Sequence, residues 1–284
     1  MWRRALIGMG LVACLACAPG GAERDDPPTT PTVTSSSAAA PTTEPATVPS
    51  STIPPPTSTT QPEPRTLEIL VFHKTAGFAH ESIGAGIEAF HHLGEEQSWK
   101  VTATDDAAVF SDTGLEPFRV IVFLNTTGDV LDESQEAAME RFVGDGGGYV
   151  GIHSAADTEY EWPWYGGLIG AYFTDHPAPQ QASVAVQAPD HPVAAGLPAR
   201  LERFDEWYNF RRLPEAEIIA TLDEESYDGG TMGDPHPIIW AHEYDGGRSV
   251  YTGFGHTSES FSESEVLDHL VAAIRWAAGD GAGS

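Results

Sequence analysis

Short apolar runs alternating with amphipathic stretches constrain this chain more than any other feature of its sequence. Leu67-Glu68-Ile69-Leu70-Val71-Phe72-His73 has the composition of a strand covered on both faces. A loop with Gly77 follows, then a helical pattern over about 81–93 that turns Ile83, Ile87 and Phe90 to one side. Residues 100–104 give a second, shorter strand and 118–124 a third. Asp132 is placed to cap the next helix, which points Met139, Phe142 and Val143 inward and stops at Gly144. Residues 149–152 enter as a fourth strand. Further strands are predicted at 183–187, 218–222, 238–243 and 250–254. A closing helix over about 263–278 packs Val266, Leu270, Ile274 and Ala277.

Strand–helix–strand units with apolar strands predict an α/β domain, a mostly parallel sheet with helices on both faces. Open sheets of this class take their ligands beyond the carboxyl ends of the strands. The residues at those ends therefore carry the functional argument.

The pattern is confined to residues 66–284, one predicted domain. Ahead of it, residues 27–64 hold 11 Pro, 11 Thr and 6 Ser with almost no large apolar group. Such a stretch buries too little surface to offset its ordering entropy, so 18–65 is expected to be a disordered tether. Residues 1–17 have the form of an export signal: Trp2-Arg3-Arg4, then the apolar run 5–13, then small residues. Leu11-Val12-Ala13-Cys14 resembles a bacterial lipobox, with Cys17 as the competing acceptor of the lipid. The expected address is the outer face of the bacterial cytoplasmic membrane, reached through a lipid anchor alone.

Cys14 and Cys17 are the chain's two cysteines, so a catalytic thiol in the body of the protein is excluded. The 284 residues carry 42 acids against 14 bases, a net charge of −28. Removing the first 65 residues leaves 37 acids against 10 bases, so the charge belongs to the predicted domain. A surface this negative is unsuited to phosphate backbones or anionic lipid, and no nucleic acid is expected as partner.

Several histidines fall at strand ends. His73 closes the first strand, His80 stands at the entrance to the first helix, and His153 closes the fourth strand. His176 follows a Gly/aromatic loop, and His256 follows the strand at 250–254. Asp157, Asp175, Asp205 and Glu206 lie in the intervening loops. Adjacent His91 and His92 are expected on a solvated helix face, His191 and His236 in turns before proline, and His269 on the surface of the last helix. Trp162, Trp164, Tyr165, Trp207 and Tyr208 offer aromatic faces for a ligand ring, or packing.

In Gly151-Ile152-His153-Ser154 the chain resembles the strand-to-helix elbow of class I glutamine amidotransferase folds, with His153 where the nucleophilic thiol would stand. Imidazole cannot form the thioester of glutamine hydrolysis. Ser154 lacks the Gly-x-Ser-x-Gly context of a serine hydrolase. The whole set of motifs resembles the ThuA-like (trehalose-utilisation) family. It comprises the strand ending in His73, Gly77 to Ile83, Gly147 to His153, Gly166-Gly167 through Phe173 to His176-Pro177, His191-Pro192 with Gly196-Leu197-Pro198, Asp205-Glu206-Trp207-Tyr208, and Arg248 to His256.

That resemblance implies a flavodoxin-like fold and a role in carbohydrate metabolism, on a disaccharide or keto-sugar. The expected pocket joins His153, Glu206 and His256 as catalytic groups with His73, His80, His153 and His176 as ligands of a divalent metal such as Zn²⁺. Trp162, Trp207 and Tyr208 would face the sugar. No nucleotide or flavin is expected. Two alternatives stand beside this reading: acid/base work by a His–Glu pair without metal, and a carbohydrate- or ligand-binding lipoprotein without turnover. Weak surface Ca²⁺ sites have no Asp-x-Asp-x-Asp-Gly loop to support them.

Overall fold

The computed structural model describes residues 66–279. The proposed signal, the lipidation cysteines Cys14 and Cys17 and the tether lie outside the described residues. Among the described residues no helix is long and apolar enough to cross a membrane.

The elements run β1 (Glu68–Phe72), α1 (Ile83–Gln97), β2 (Lys100–Thr104), α2 (Asp112–Leu115), β3 (Val120–Leu124), α3 (Glu133–Gly144) and β4 (Gly148–Ile152). They continue with α4 (Pro163–Ile169), β5 (Phe173–Asp175), β6 (Gln180–Val186), β7 (Arg200–Asp205) and β8 (Asn209–Phe210). The last are β9 (Glu217–Leu222), β10 (His236–Tyr244), β11 (Gly247–Thr252) and α5 (Ser264–Ala278). Nine strands form one sheet in the order β2-β1-β3-β4-β11-β10-β9-β6-β7, and β5 pairs with β8 apart from it.

The sheet has two halves. From β2 to β11 every neighbour is parallel, as strand–helix–strand units predict and in keeping with the flavodoxin-like fold that the resemblance implies. From β11 outward every pairing is antiparallel, through β10, β9 and β6 to the edge strand β7. β7 eluded the pattern because its Arg-Leu-Glu-Arg-Phe-Asp sequence is polar, as an edge strand tolerates.

Successive residues of each parallel strand feed opposite cores. Ile69, Val71, Val120, Val122 and Leu124 join α1 and α5 on one face, while Leu70, Phe72, Ile121 and Phe123 join α3 and α4 on the other. A helix layer on both faces explains why these strands are apolar throughout. In α3 the Asp132 side chain accepts from the Ser134 and Gln135 amides, and Gln135 reaches back to the Asp132 amide, a full capping box. α5 buries Val266, Leu270, Ile274 and Ala277, as its spacing predicts.

Two histidine expectations are corrected. His269 is fully buried, its Nδ1 donating to the Val193 carbonyl at 2.9 Å, because α5 lies between the sheet and the 192–194 turn. His236 is buried at the start of β10, with Nδ1 2.7 Å from Glu224 Oε1 and Nε2 2.9 Å from the Tyr208 carbonyl. The following proline does not make its position a turn. His191 does cap one, accepting from the Val193 amide, and His91 and His92 are exposed.

Candidate functional site: a histidine–glutamate cluster at the strand ends

Four loops beyond the carboxyl ends of the sheet bring His80, His153, Glu206 and His256 together. One donor atom from each lies within 4.8 Å of every other. His80 comes from the loop between β1 and α1, His153 follows β4, Glu206 follows β7 and His256 follows β11. The neighbouring strands β4 and β11, and β1 on the far side of β3, thus converge on one point, and the antiparallel half delivers the carboxylate.

His153 sits at the elbow with a φ of +49°, in the left-handed region. That conformation turns the chain sharply out of β4 and is retained by a non-glycine residue only where its surroundings enforce it. Those surroundings are visible. Tyr251 donates its hydroxyl to the His153 carbonyl at 2.9 Å, and the Tyr208 ring packs 4.2 Å from the imidazole. The His153 Nδ1 lies 3.1 Å from the Gly253 carbonyl oxygen, an acceptor only, so Nδ1 carries the proton and donates. Nε2 is the ring nitrogen that faces the cluster.

Glu206 is 4% exposed and lies among the imidazoles. Its Oε2 is 3.3 Å from His153 Nε2 and 3.1 Å from His256 Nδ1, while Oε1 is 3.0 Å from His176 Nδ1. Burial alone would raise this carboxyl, but His153 and His256 beside it hold it below the usual carboxylate range. The carboxylate in turn raises His256, against its burial. His80 is pushed down to about 3, first by burial and then by the neighbouring His153 and His256. His153 Nε2 and His256 Nδ1 are buried and make no hydrogen bond, since their approach to Glu206 is off the hydrogen-bond axis. Two orphaned imidazole nitrogens beside one carboxylate oxygen form a donor set that could hold a cation.

A second layer holds the loops in place. Asp205, fully buried, accepts from the backbone amides of Glu206, Gly255 and His256 at 3.0–3.1 Å, and Arg203 lies 3.2 Å from it. The Gly255 carbonyl accepts from Ser82 Oγ at 2.8 Å and Asn125 Nδ2 at 3.0 Å. Gly255 has a φ of +118°, which only glycine adopts readily. Each ligand-bearing loop except the elbow is thus tied to another through this one peptide.

The structure revises the sequence-predicted set residue by residue. His73 is outside the converging group, and its amide continues the β1–β2 pairing by donating to Thr104. His176 reaches Glu206 but stands at the rim, its side chain 39% exposed. Trp207 is fully buried in the α1/α5 core, donating to the Gln180 carbonyl, because it points away from its neighbour Glu206. Trp162 is also core, stacked on Trp164 and Tyr165. Tyr208 alone of the three predicted sugar-facing aromatics touches the cluster, and through His153. Ser154 is buried with Oγ 3.3 Å from His80 Nδ1, orienting that ring. Asn125 carried no signal in the sequence, while Asp205 and Ser82 stood out only as members of a loop or motif, without this role.

The family described as "Trehalose utilisation", ThuA, matches residues 68–277. A search of curated proteins finds no match. A protein from Bacteroides uniformis described as ThuA-like has a similar structure, with a TM-score of 0.64 and 23% identity over 76% of this chain and 95% of that one. Another described as ThuA-like, from Parabacteroides merdae, gives 0.64 and 18% identity over 78% and 93%. The beta-galactosidase of Bacillus circulans sp. alkalophilus shares the fold over 31% of its own length and 75% of this chain, with a TM-score of 0.52 and 12% identity.

Proposed function

The chain belongs to the ThuA family, and from that premise we propose that its folded domain acts on a disaccharide or keto-sugar, using a divalent ion held by His80, His153, His256 and Glu206. The observation that carries this reading is the convergence of those four donors, two of them nitrogens without a hydrogen bond. Three imidazoles and a carboxylate suit Zn²⁺ or a similar ion. Ligands about 2 Å from such an ion stand roughly 3–4 Å from one another, so small side-chain rotations would close the set.

A bound ion supplies Lewis acidity toward a sugar carbonyl or hydroxyl oxygen. The chain's own residues do the rest. The Gly253 carbonyl keeps the proton of His153 on Nδ1, so that Nε2 stays a ligand. Tyr208 walls the inner side of His153, and Asp205 holds the Glu206 and His256 backbones in register.

Elemental analysis of the full chain after equilibration with Zn²⁺, Mn²⁺ or Ni²⁺ tests the reading. About one ion per chain is expected, with affinity reduced by about 100-fold or more in Glu206→Gln and His153→Ala. No bound metal in any of the three would end the metal reading. The same His–Glu distances would also serve acid/base chemistry without metal, and that version requires His153→Ala to lose turnover of a keto-disaccharide while still binding it. A protein that binds sugar with neither metal nor turnover would be a carbohydrate-binding lipoprotein.

The order of basic, apolar and small residues before Cys14 supports acylation at Cys14 or Cys17 and an anchor at the outer face of the membrane. Incorporation of labelled palmitate that survives Cys14→Ala and Cys17→Ala together would remove this part.

A further inference from the structure

The cluster accounts for chemistry at one point of a sugar but not for how a ring is held against it, and the tryptophans expected to do that are buried in the cores. Among the described residues the most exposed large apolar side chain is Phe78, at 65%. Its ring stands edge-on to His80, with centroids 4.9 Å apart. The other two are Phe204, at 50%, and Leu213, at 45%.

The exposure of Phe78 is built in. The Ala76 amide donates to the Thr127 carbonyl at 2.7 Å, and the Gly77 amide to Thr127 Oγ1 at 3.1 Å. Thr127 Oγ1 donates to the Phe78 carbonyl at 2.9 Å. A side chain at Gly77 would press on Thr127 at 3.2 Å, so the two loops are in close contact. An aromatic face is thus held open to water at the mouth of a buried polar cluster, against the usual tendency of apolar surface to be covered. The charge around it is negative. Glu81 and Asp175, both exposed, adjoin His80 and His176, while Lys74 on the same loop is tied to the Val130 carbonyl at 2.7 Å.

We propose that Phe78 is the stacking platform for an uncharged pyranose ring, whose C–H face lies on the phenyl ring while its hydroxyls reach the His80–His153–His256–Glu206 cluster. This rests on the carbohydrate reading above and adds the part of the site that grips the ring and the class of sugar it admits. A phosphate carried on the ring at the platform, away from the ion, would meet Glu81 and Asp175 and no free cation on the platform loop.

Calorimetric titration of the full chain with trehalose, trehalose 6-phosphate and the acyclic polyol sorbitol provides the test, with metal content measured in parallel. Trehalose is expected to bind, Phe78→Ala to weaken it about tenfold, and Phe78→Tyr to keep it, all with metal content unchanged. Sorbitol, without a ring face, is expected to be insensitive to Phe78→Ala. Unchanged trehalose affinity in Phe78→Ala would overturn the platform while leaving the carbohydrate reading in place. Binding of trehalose 6-phosphate as tight as that of trehalose would overturn the uncharged class. A wild-type chain that binds none of the sugars would bring down the carbohydrate reading and the platform together.

Discussion

A single carboxylate, Asp205, does as much for the site as any ligand. It lies next to Glu206 and accepts from three backbone amides, those of Glu206 and His256 and that of the positive-φ Gly255. It also faces Arg203, whose buried guanidinium has Glu263 at 3.3 Å as its second carboxylate and donates to Ser260 Oγ at 2.8 Å. Replacing it with the isosteric asparagine removes the charge and keeps one acceptor. Asp205→Asn is therefore expected to lower unfolding free energy by about 3 kcal/mol, through the uncompensated arginine and the weakened amide bonds. Urea denaturation measures that loss, and metal affinity should fall by about 10-fold or more with it. A variant of wild-type stability would show the buried pair to be dispensable. At this scale the sequence was informative about residue type and strand-end position, which is how His80, His153, Glu206 and His256 were found. It was silent on direction. Trp207 follows Glu206 in the chain, and only the path of the backbone after β7 decides which of the two enters the cluster and which the core.

The elements were legible wherever both faces of a strand are covered. β1, β3 and β4 lie within two residues of where their apolar runs place them, because burial on two sides leaves little room for polar residues, and α5 matches its spacing. The antiparallel half was read only in part, since β7 is polar, and the separate β5–β8 pair is too short to carry periodicity. His269 in α5 shows the limit in the other direction, a titratable residue on the inward face of a helix. Burial pushes its imidazole down to about 4, with the Arg203 charge adding to the effect and the Val193 hydrogen bond opposing it. The folded chain therefore keeps His269 neutral between about pH 6.5 and 4, while the unfolded chain takes up the proton in that window. Stability is lost as pH falls through it, by roughly 3 kcal/mol for a shift of this size. Wild type should lose about that much more than His269→Gln between pH 7 and pH 4 in parallel urea titrations. Equal losses would mean that the site opens to water before it is titrated.

Charge and topology act on the molecule as a whole. With 42 acids and 14 bases, the chain's like charges repel in the compact state, and the pairs that form are mostly on the surface. Raising NaCl from about 10 mM to 0.3 M shortens the screening length several-fold and is expected to raise the melting temperature by a few degrees. A flat or falling curve would mean that local pairing outweighs the net repulsion. Topology bears on how the protein comes into being. β11 lies in the middle of the sheet, between β4 and β10, yet only α5 follows it in the chain. A growing polypeptide has made most of its length before the strand that joins the two halves exists, and until then β4 and β10 present bare hydrogen-bonding edges. His256 emerges later still, four residues past β11. An amino-terminal fragment that stops short of it lacks one of the four donors, so on the proposed reading an ion could be held only after the two halves have met.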